Sequence, residues 1–133
     1  MRKKYRILGV LPPRPRARAY DGSERAWWQG VSGNWYIHTV YSLTDLPAFR
    51  GYSFVLVQRD ESGHCTPLYF GQVGACDGPL SKHRKFWPAQ VLGANEVHIH
   101  LLGGDAYRRS QTSVDLAKAH DTPLNRHRLE IRR

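Results

Sequence analysis

Residues 52–71, YSFVLVQRDESGHCTPLYFG, carry the clearest secondary-structure pattern in the chain and decide its fold. Two runs rich in β-branched and aromatic residues, 52–58 and 66–71, flank the polar segment 59–64, which contains Gly63. A polar turn with a glycine between two such runs predicts a β-hairpin. We therefore expect these residues to form an antiparallel pair of strands.

Helices and one further strand are predicted after the hairpin. Residues 80–86 have a helical pattern, and Pro88 fits the first turn of a second short helix that ends near Gly93. Residues 96–102 alternate polar and apolar side chains, which predicts a half-buried strand. A last helix is predicted over residues 105–120. Its expected apolar side consists of Val114, Leu116 and Ala117. The fold class is therefore α/β (α+β), with a small three-stranded, mainly antiparallel sheet flanked by helices.

The N-terminal part of the chain is basic and aromatic. Its first eighteen residues hold seven basic side chains, no acid and three prolines, which predicts an extended arm because proline fixes φ and removes a donor. Residues 19–34 are predicted to be a loop interrupted by Trp27 and Trp28, and 36–41 is β-rich. We divide the chain into the arm and aromatic extension (1–41), a domain (42–126) and a basic tail (127–133).

Composition limits the classes of partner. The 133 residues suffice for one domain, and 20 Lys and Arg against 11 Asp and Glu give a net charge of +9, which favours polyanionic partners. No apolar run approaches the ~18 residues of a membrane span, so no membrane partner is expected. The two cysteines, Cys65 and Cys76, form no C-x-x-C pair. We predict a cytoplasmic protein, nucleoid-associated if it is bacterial.

Five short motifs share their order and spacing with a known family. They are Pro67-Leu68-Tyr69-Phe70-Gly71-Gln72, Leu80-Ser81-Lys82-His83, Leu92-Gly93-Ala94-Asn95-Glu96-Val97, Asp115-Leu116 and Thr122-Pro123-Leu124-Asn125. Together they resemble the GIY-YIG nuclease domain, over about residues 42–126. The resemblance implies a GIY-YIG-like fold and a phosphodiester-binding site.

The resemblance also implies which residues would form the catalytic site. Tyr69 and Asn125 match a tyrosine and an asparagine of the family motif, although an asparagine after proline and leucine is equally suited to a turn. The family's other tyrosine falls on Phe54, its arginine on Pro79 and its metal-binding glutamate on Ser113. These replacements remove the phenolic oxygen, the guanidinium that stabilises phosphate and the carboxylate that holds the metal. We therefore expect a domain of this descent that does not cleave.

An active, divergent nuclease is the alternative. It would need Mg²⁺, would use Lys82 or Arg84 for the arginine, and would use Asp115 or Glu96 for the carboxylate. Asp115, however, lies two residues from position 113, or about 200° around a helix, and should face away.

Nucleic-acid binding remains as the leading function, with DNA as the expected polymer and no cofactor. The residues expected to contact it are basic or lie beside basic residues. They are Lys82, His83, Arg84 and Lys85 in the domain and Arg14, Arg16 and Arg18 in the arm. A protein-interaction module with a basic docking arm is a further alternative.

Two other patterns have structural interpretations that we favour. Glu96, His98 and His100 share one strand face, where they could bind zinc, but an exposed side of a half-buried strand is the simpler interpretation. The tryptophans could stack on bases, but in so small a domain they are expected to fill the core. They are Trp27, Trp28, Trp35 and Trp87.

Overall fold

The computed structural model describes residues 21–126 of the protein. In this range the strands are β1 (Asp21–Gln29), β2 (Trp35–Ser42), β3 (Tyr52–Arg59), β4 (Cys65–Val73) and β5 (Glu96–His100). The helices are α1 (Phe86–Val91) and α2 (Ala106–Ala119), and two 3-10 turns lie at Leu80–Lys82 and Pro123–Asn125.

The five strands form one sheet in the order β1-β2-β5-β3-β4, and every neighbouring pair is antiparallel. This confirms a mixed fold with an antiparallel sheet and confirms the predicted hairpin, β3 and β4, whose second strand lies at the edge of the sheet. The sheet is larger than the three strands that the sequence predicts, because β1 and β2 extend it beyond β5. The same sheet thus includes residues on both sides of the boundary drawn at residue 42.

Strand β1 replaces part of the loop expected over residues 19–34. Its side chains alternate, with Glu24, Ala26 and Trp28 buried and Arg25 and Trp27 exposed. The alternation is hard to recognise in the sequence because its buried set includes a glutamate and its exposed set a tryptophan. Pairing with β2 and an internal partner for the glutamate make the strand possible.

Strand β5 lies in the middle of the sheet, between β2 and β3. All five of its residues are buried, so the prediction of a half-buried strand over residues 96–102 is wrong in burial and in length. Leu101 and Leu102 follow the strand and are exposed. A central strand is covered on both faces, and its burial therefore depends on neighbours that its own pattern does not specify.

The sheet has a hydrophobic core on each face. On the side of α1, which we call the α1 face, the core includes Tyr52, Phe54, Leu56, Tyr69, Leu80, Ala89, Val97 and Ile99. On the side of α2, the α2 face, it includes Ala26, Trp28, Val40, Val55, Val57, Phe70 and Leu116. The two sets come from alternating positions of the same strands, as the period of two requires.

The helices differ in detail from the prediction. Helix α2 has Asp105 as its N-cap, whose side chain accepts a hydrogen bond from the amide of Arg108. Its buried residues are Arg109, Thr112, Leu116 and Ala119, whereas Val114 of the expected apolar side is half exposed. This stripe escapes an apolar-pattern search because half of it is polar.

The helix expected over residues 80–86 is reduced to the 3-10 turn Leu80–Lys82. His83 has an extended backbone, and its ring Nδ1 accepts a hydrogen bond from the amide of Lys85, which separates the turn from α1. Within residues 21–126, no helix has the length and apolarity needed to cross a bilayer.

Candidate nucleic-acid interface

Tyr69 and Phe54, two of the motif positions, lie side by side on the α1 face. Phe54 pairs with Gly71 across β3 and β4, and its ring centroid is 5.9 Å from that of Tyr69. The Tyr69 ring folds over Gly71, where a Cβ would overlap it. Glycine at this position is therefore a packing requirement of the tyrosine. Burial raises the pKa of Tyr69, so its phenol stays protonated at neutral pH.

Asn125 and Ser113 lie along the outer edge of β4. The Asn125 amide accepts from the backbone nitrogen of Phe70 at 2.8 Å and donates to its carbonyl at 2.9 Å, as a neighbouring strand would. The Ser113 hydroxyl lies 2.9 Å from the carbonyl oxygen of Gly71 and 3.1 Å from that of Arg109. Both side chains therefore fasten later parts of the chain to the strand edge.

Four of the five motif positions thus meet around residues 69–71 of β4, whereas Pro79 is exposed beside a groove. The carboxylate that Ser113 lacks is not supplied by Asp115. Asp115 accepts hydrogen bonds from the Ser32 amide and hydroxyl and from the Tyr36 hydroxyl, so it faces the β1–β2 turn, as helical geometry predicts.

The donor set around Ser113 does not fit Mg²⁺. This hard cation prefers carboxylate oxygens, and Ser113 offers a neutral hydroxyl that already contacts two carbonyl groups. The other carboxylate considered for a metal, Glu96, is fully buried on the α2 face. We derive no catalytic step through a metal at this position.

Glu96 is part of a buried network that the sequence interpretation placed on an exposed surface. Its carboxylate accepts from Arg59 Nε at 2.5 Å and from His98 Nε2 at 2.8 Å, and Arg59 Nη2 donates to Glu24 at 2.9 Å. Trp28 Nε1 donates to His98 Nδ1 at 3.0 Å, which makes that imidazole neutral with its proton on Nε2. The expectation of an exposed Glu96, His98 and His100 is therefore wrong.

Two members of the same network, together with Cys65, form a cluster of groups that could bind a metal. The ligand atoms of Cys65, Glu96 and His98 lie within 4.8 Å of one another. Burial acts to raise the pKa of Glu96, but hydrogen bonds from His98 and Arg59 lower it to about 2, while burial raises the pKa of Cys65 to about 12. The protonated Cys65 thiol donates to the Gly63 carbonyl at 4.0 Å, and the Glu96 carboxylate is already paired with the Arg59 guanidinium. We assign the network a structural role.

The basic segment predicted to contact nucleic acid lies next to Tyr69. The His83 ring is 5.5 Å from the Tyr69 ring and 5.3 Å from that of Phe54, and Lys85 Nζ is 5.8 Å from the Tyr69 centroid. Burial and the charge of Arg84 lower the pKa of His83, so it is neutral at pH 7. Lys82 and Arg84 are exposed. Lys85 therefore lies over an aromatic cluster that Tyr69, Phe54 and His83 form.

Trp87, on α1, lies two residues after this segment and is 70% exposed. The expectation that the tryptophans fill the core holds for Trp28, which is fully buried, and fails for Trp87. Trp27 and Trp35 are each 37% exposed. Helix α1 is only six residues long, and Trp87 and Pro88 are its second and third residues. The indole therefore lies in the first turn of the helix. We call the following set the basic platform: Lys82, His83, Arg84, Lys85 and Trp87.

Two further arginines near the site were not anticipated from the sequence. Arg50 lines a groove of about 510 Å³, and Arg109 lies behind the adjacent Gly51. The sequence marks Arg50 only by the glycine that follows it, and nothing in the pattern of α2 marks Arg109. Arg14, Arg16 and Arg18 lie outside the described residues.

The chain matches no protein-family model, no curated protein and no solved structure. The resemblance to the GIY-YIG domain therefore rests on the motif residues alone.

Proposed function

We propose that this protein binds nucleic acid, with DNA as the polymer, through the basic platform, and that it does so without cleaving it. The observation that carries the proposal is the exposed Trp87, two residues after Lys85, in a segment that also holds the exposed cations Lys82 and Arg84. That segment, from Gly78 to Asn95, contains no acidic residue. Cations would contact phosphates while the indole stacks on an unpaired base.

The absence of cleavage follows from the residues at the motif positions. Phe54 has no oxygen, Pro79 has no charge, and Ser113 is held against β4. On this proposal the domain descends from a GIY-YIG nuclease. It keeps a surface that binds phosphodiesters and lacks the groups that would cleave them. A guanidinium directed at phosphate can contribute on the order of 10³ or more in rate, so its loss alone is severe.

The binding test uses fluorescence anisotropy of labelled DNA, single-stranded and duplex, across a series of salt concentrations. We expect affinity to fall steeply with salt in the wild type. The double variant Lys82→Gln/Arg84→Gln should bind more weakly and should reduce the slope of log K against log salt by about 2, because each phosphate contact contributes ~0.9 on duplex DNA. Lys118→Gln, an exposed cation on α2, is the matched control and should leave the slope nearly unchanged.

Absence of binding at the lowest salt would overturn the proposal. Affinity that persists at high salt together with a stoichiometric protein partner would favour the protein-interaction alternative.

Cleavage is tested on supercoiled plasmid with Mg²⁺ or Mn²⁺. We expect no nicking above that of the Tyr69→Phe variant prepared identically. Nicking by the wild type that Tyr69→Phe abolishes would establish the nuclease alternative instead.

A further inference from the structure

Arg109 is a buried cation without an acidic partner in the described part of the chain. Its side chain is on α2, the residue is 8% exposed, and Nη1 donates to the carbonyl of Gly104 at 2.9 Å. Nε is buried with no hydrogen-bond partner among residues 21–126, and no carboxylate of these residues forms an ion pair with the guanidinium. Burying a charge in this way is costly unless an anion compensates it.

The backbone around Arg109 leaves space for its guanidinium. A Cβ on Gly51 would lie 3.1 Å from Nη1 and 3.3 Å from Cζ, and a Cβ on Gly103 would lie 3.1 Å from Cγ. Gly51 also has φ +65°, a conformation that other residues rarely adopt. Two glycines therefore give the arginine its position, which makes this arrangement a specific feature of the fold.

The guanidinium lies directly behind the wall of the groove. Gly51 stands between Arg50 and Tyr52, which both line the groove, and the Ala75 amide nitrogen lies 3.6 Å from the same Cβ point. Arg50 is the only lining side chain that carries a full charge at neutral pH. Asp77, in the loop that lines the groove, accepts a hydrogen bond from the Gly74 amide at 2.7 Å and forms no ion pair with Arg50 or Arg109 among the described residues. The lining thus combines one guanidinium, unpaired within residues 21–126, with polar and apolar groups.

We propose that this groove binds a phosphate group at Arg50, with the charge of Arg109 behind Gly51 as a second positive group. The proposal rests on the proposed function, since the phosphate would be one phosphodiester of the nucleic acid held by the basic platform. The two surfaces are continuous along the chain: Pro79 and Leu80 line the groove, and Lys82 begins the platform two residues later. Guanidinium groups suit this ligand because their fork of donors matches phosphate oxygens.

The test measures thermal unfolding of the full chain with increasing inorganic phosphate, against chloride at equal ionic strength. Phosphate should raise the unfolding temperature of the wild type. Arg50→Gln, at an exposed residue, should fold normally and weaken phosphate binding about tenfold, the loss expected for a charge-assisted contact. Arg108→Gln, an exposed neighbour of Arg109 on α2, is the control and should respond like the wild type.

Arg109→Met supplies a readout that a merely structural arginine would not give. Without phosphate, this variant should be at least as stable as the wild type, because it removes an uncompensated buried charge, and it should lose the response to phosphate. Glu130 is the only acidic side chain outside residues 21–126. Destabilisation by Arg109→Met that Glu130→Gln reproduces would mean an internal ion pair and would overturn the proposal.

The outcomes also separate this inference from the proposed function. DNA binding that depends on Arg84, with no phosphate response, overturns the groove alone. A phosphate response that Arg50→Gln abolishes, without any DNA binding, overturns the proposed function and the phosphodiester assignment while retaining an anion site.

Discussion

The two faces of the sheet use the same types of side chain in opposite ways. On the α2 face, Arg59 is buried between Glu24 and Glu96, and Trp28 is buried and donates to His98. On the α1 face, Arg84 and Trp87 are exposed, and the segment that holds them contains no acid. Charged and aromatic side chains therefore stabilise the fold on the α2 face, where partners surround them, whereas on the α1 face Arg84 and Trp87 are exposed at the surface of the described residues.

The largest expected difference in stability is between substitutions of a buried arginine on the α2 face and an exposed arginine on the α1 face. Arg59→Gln would leave two buried carboxylates without their cation, and we expect it to destabilise the protein by about 3–5 kcal/mol. Arg84→Gln should change stability by less than about 0.5 kcal/mol, as surface substitutions do. Urea denaturation of both variants measures the difference. Equal stabilities would mean that the buried network does not hold the sheet together.

Substitutions of two exposed tryptophans test whether the α1 face contributes to DNA binding. Trp87→Ala should weaken binding of single-stranded DNA by about 1–3 kcal/mol, the contribution of stacking one base, without lowering the unfolding temperature. The loss should persist at high salt, since stacking is not a contact between charges. Trp27→Ala, which removes another exposed indole on β1, is the control for affinity. If both variants bind as tightly as the wild type, Trp87 is not part of the interface.

Acidification should affect the α2 face first. Burial lowers the pKa of His38 well below its usual value, with the charge of His100 acting in the same direction. The unfolded chain binds a proton near pH 6.5 that folded His38 does not, so stability should fall below that pH by up to about 1.4 kcal/mol per pH unit. His38→Gln should remove this part of the slope. A stability profile that is flat from pH 7 to pH 5.5 would contradict the assignment.

A second decline should follow at lower pH. Glu96 has a pKa of about 2 in the folded protein and a higher one when unfolded, so its contribution is complete above the unfolded value and is lost as the pH falls toward 2.

Some features were predictable because they depend on neighbours in the sequence. The hairpin of β3 and β4 follows from two β-rich runs with a glycine-containing turn, and α2 begins after its N-cap Asp105. The rotation of Asp115 away from Ser113 follows from helical geometry alone. Local backbone preference and side-chain periodicity determine all three.

The burial of charged residues was not predictable in the same way. Glu96 and His98 have a pattern typical of an exposed strand face. Their burial is possible only because Arg59 and Trp28, far away in sequence, form hydrogen bonds with them that offset the cost of removing them from water. Conversely, tryptophan is a residue type expected in a core, but Trp87 lies on a short helix beyond the edge of the core and is exposed.

The sequence by itself determined a basic chain with a hairpin, a later helix and an acid-free segment from residue 78 to 95, because composition and period are properties of the chain alone. The tertiary structure decided which charges are paired. It placed Arg59 between two carboxylates, whereas Arg109 lies behind a groove and has no carboxylate partner among the described residues. The sequence could not show this difference, because the free energy of a charge depends on the groups that surround it in space.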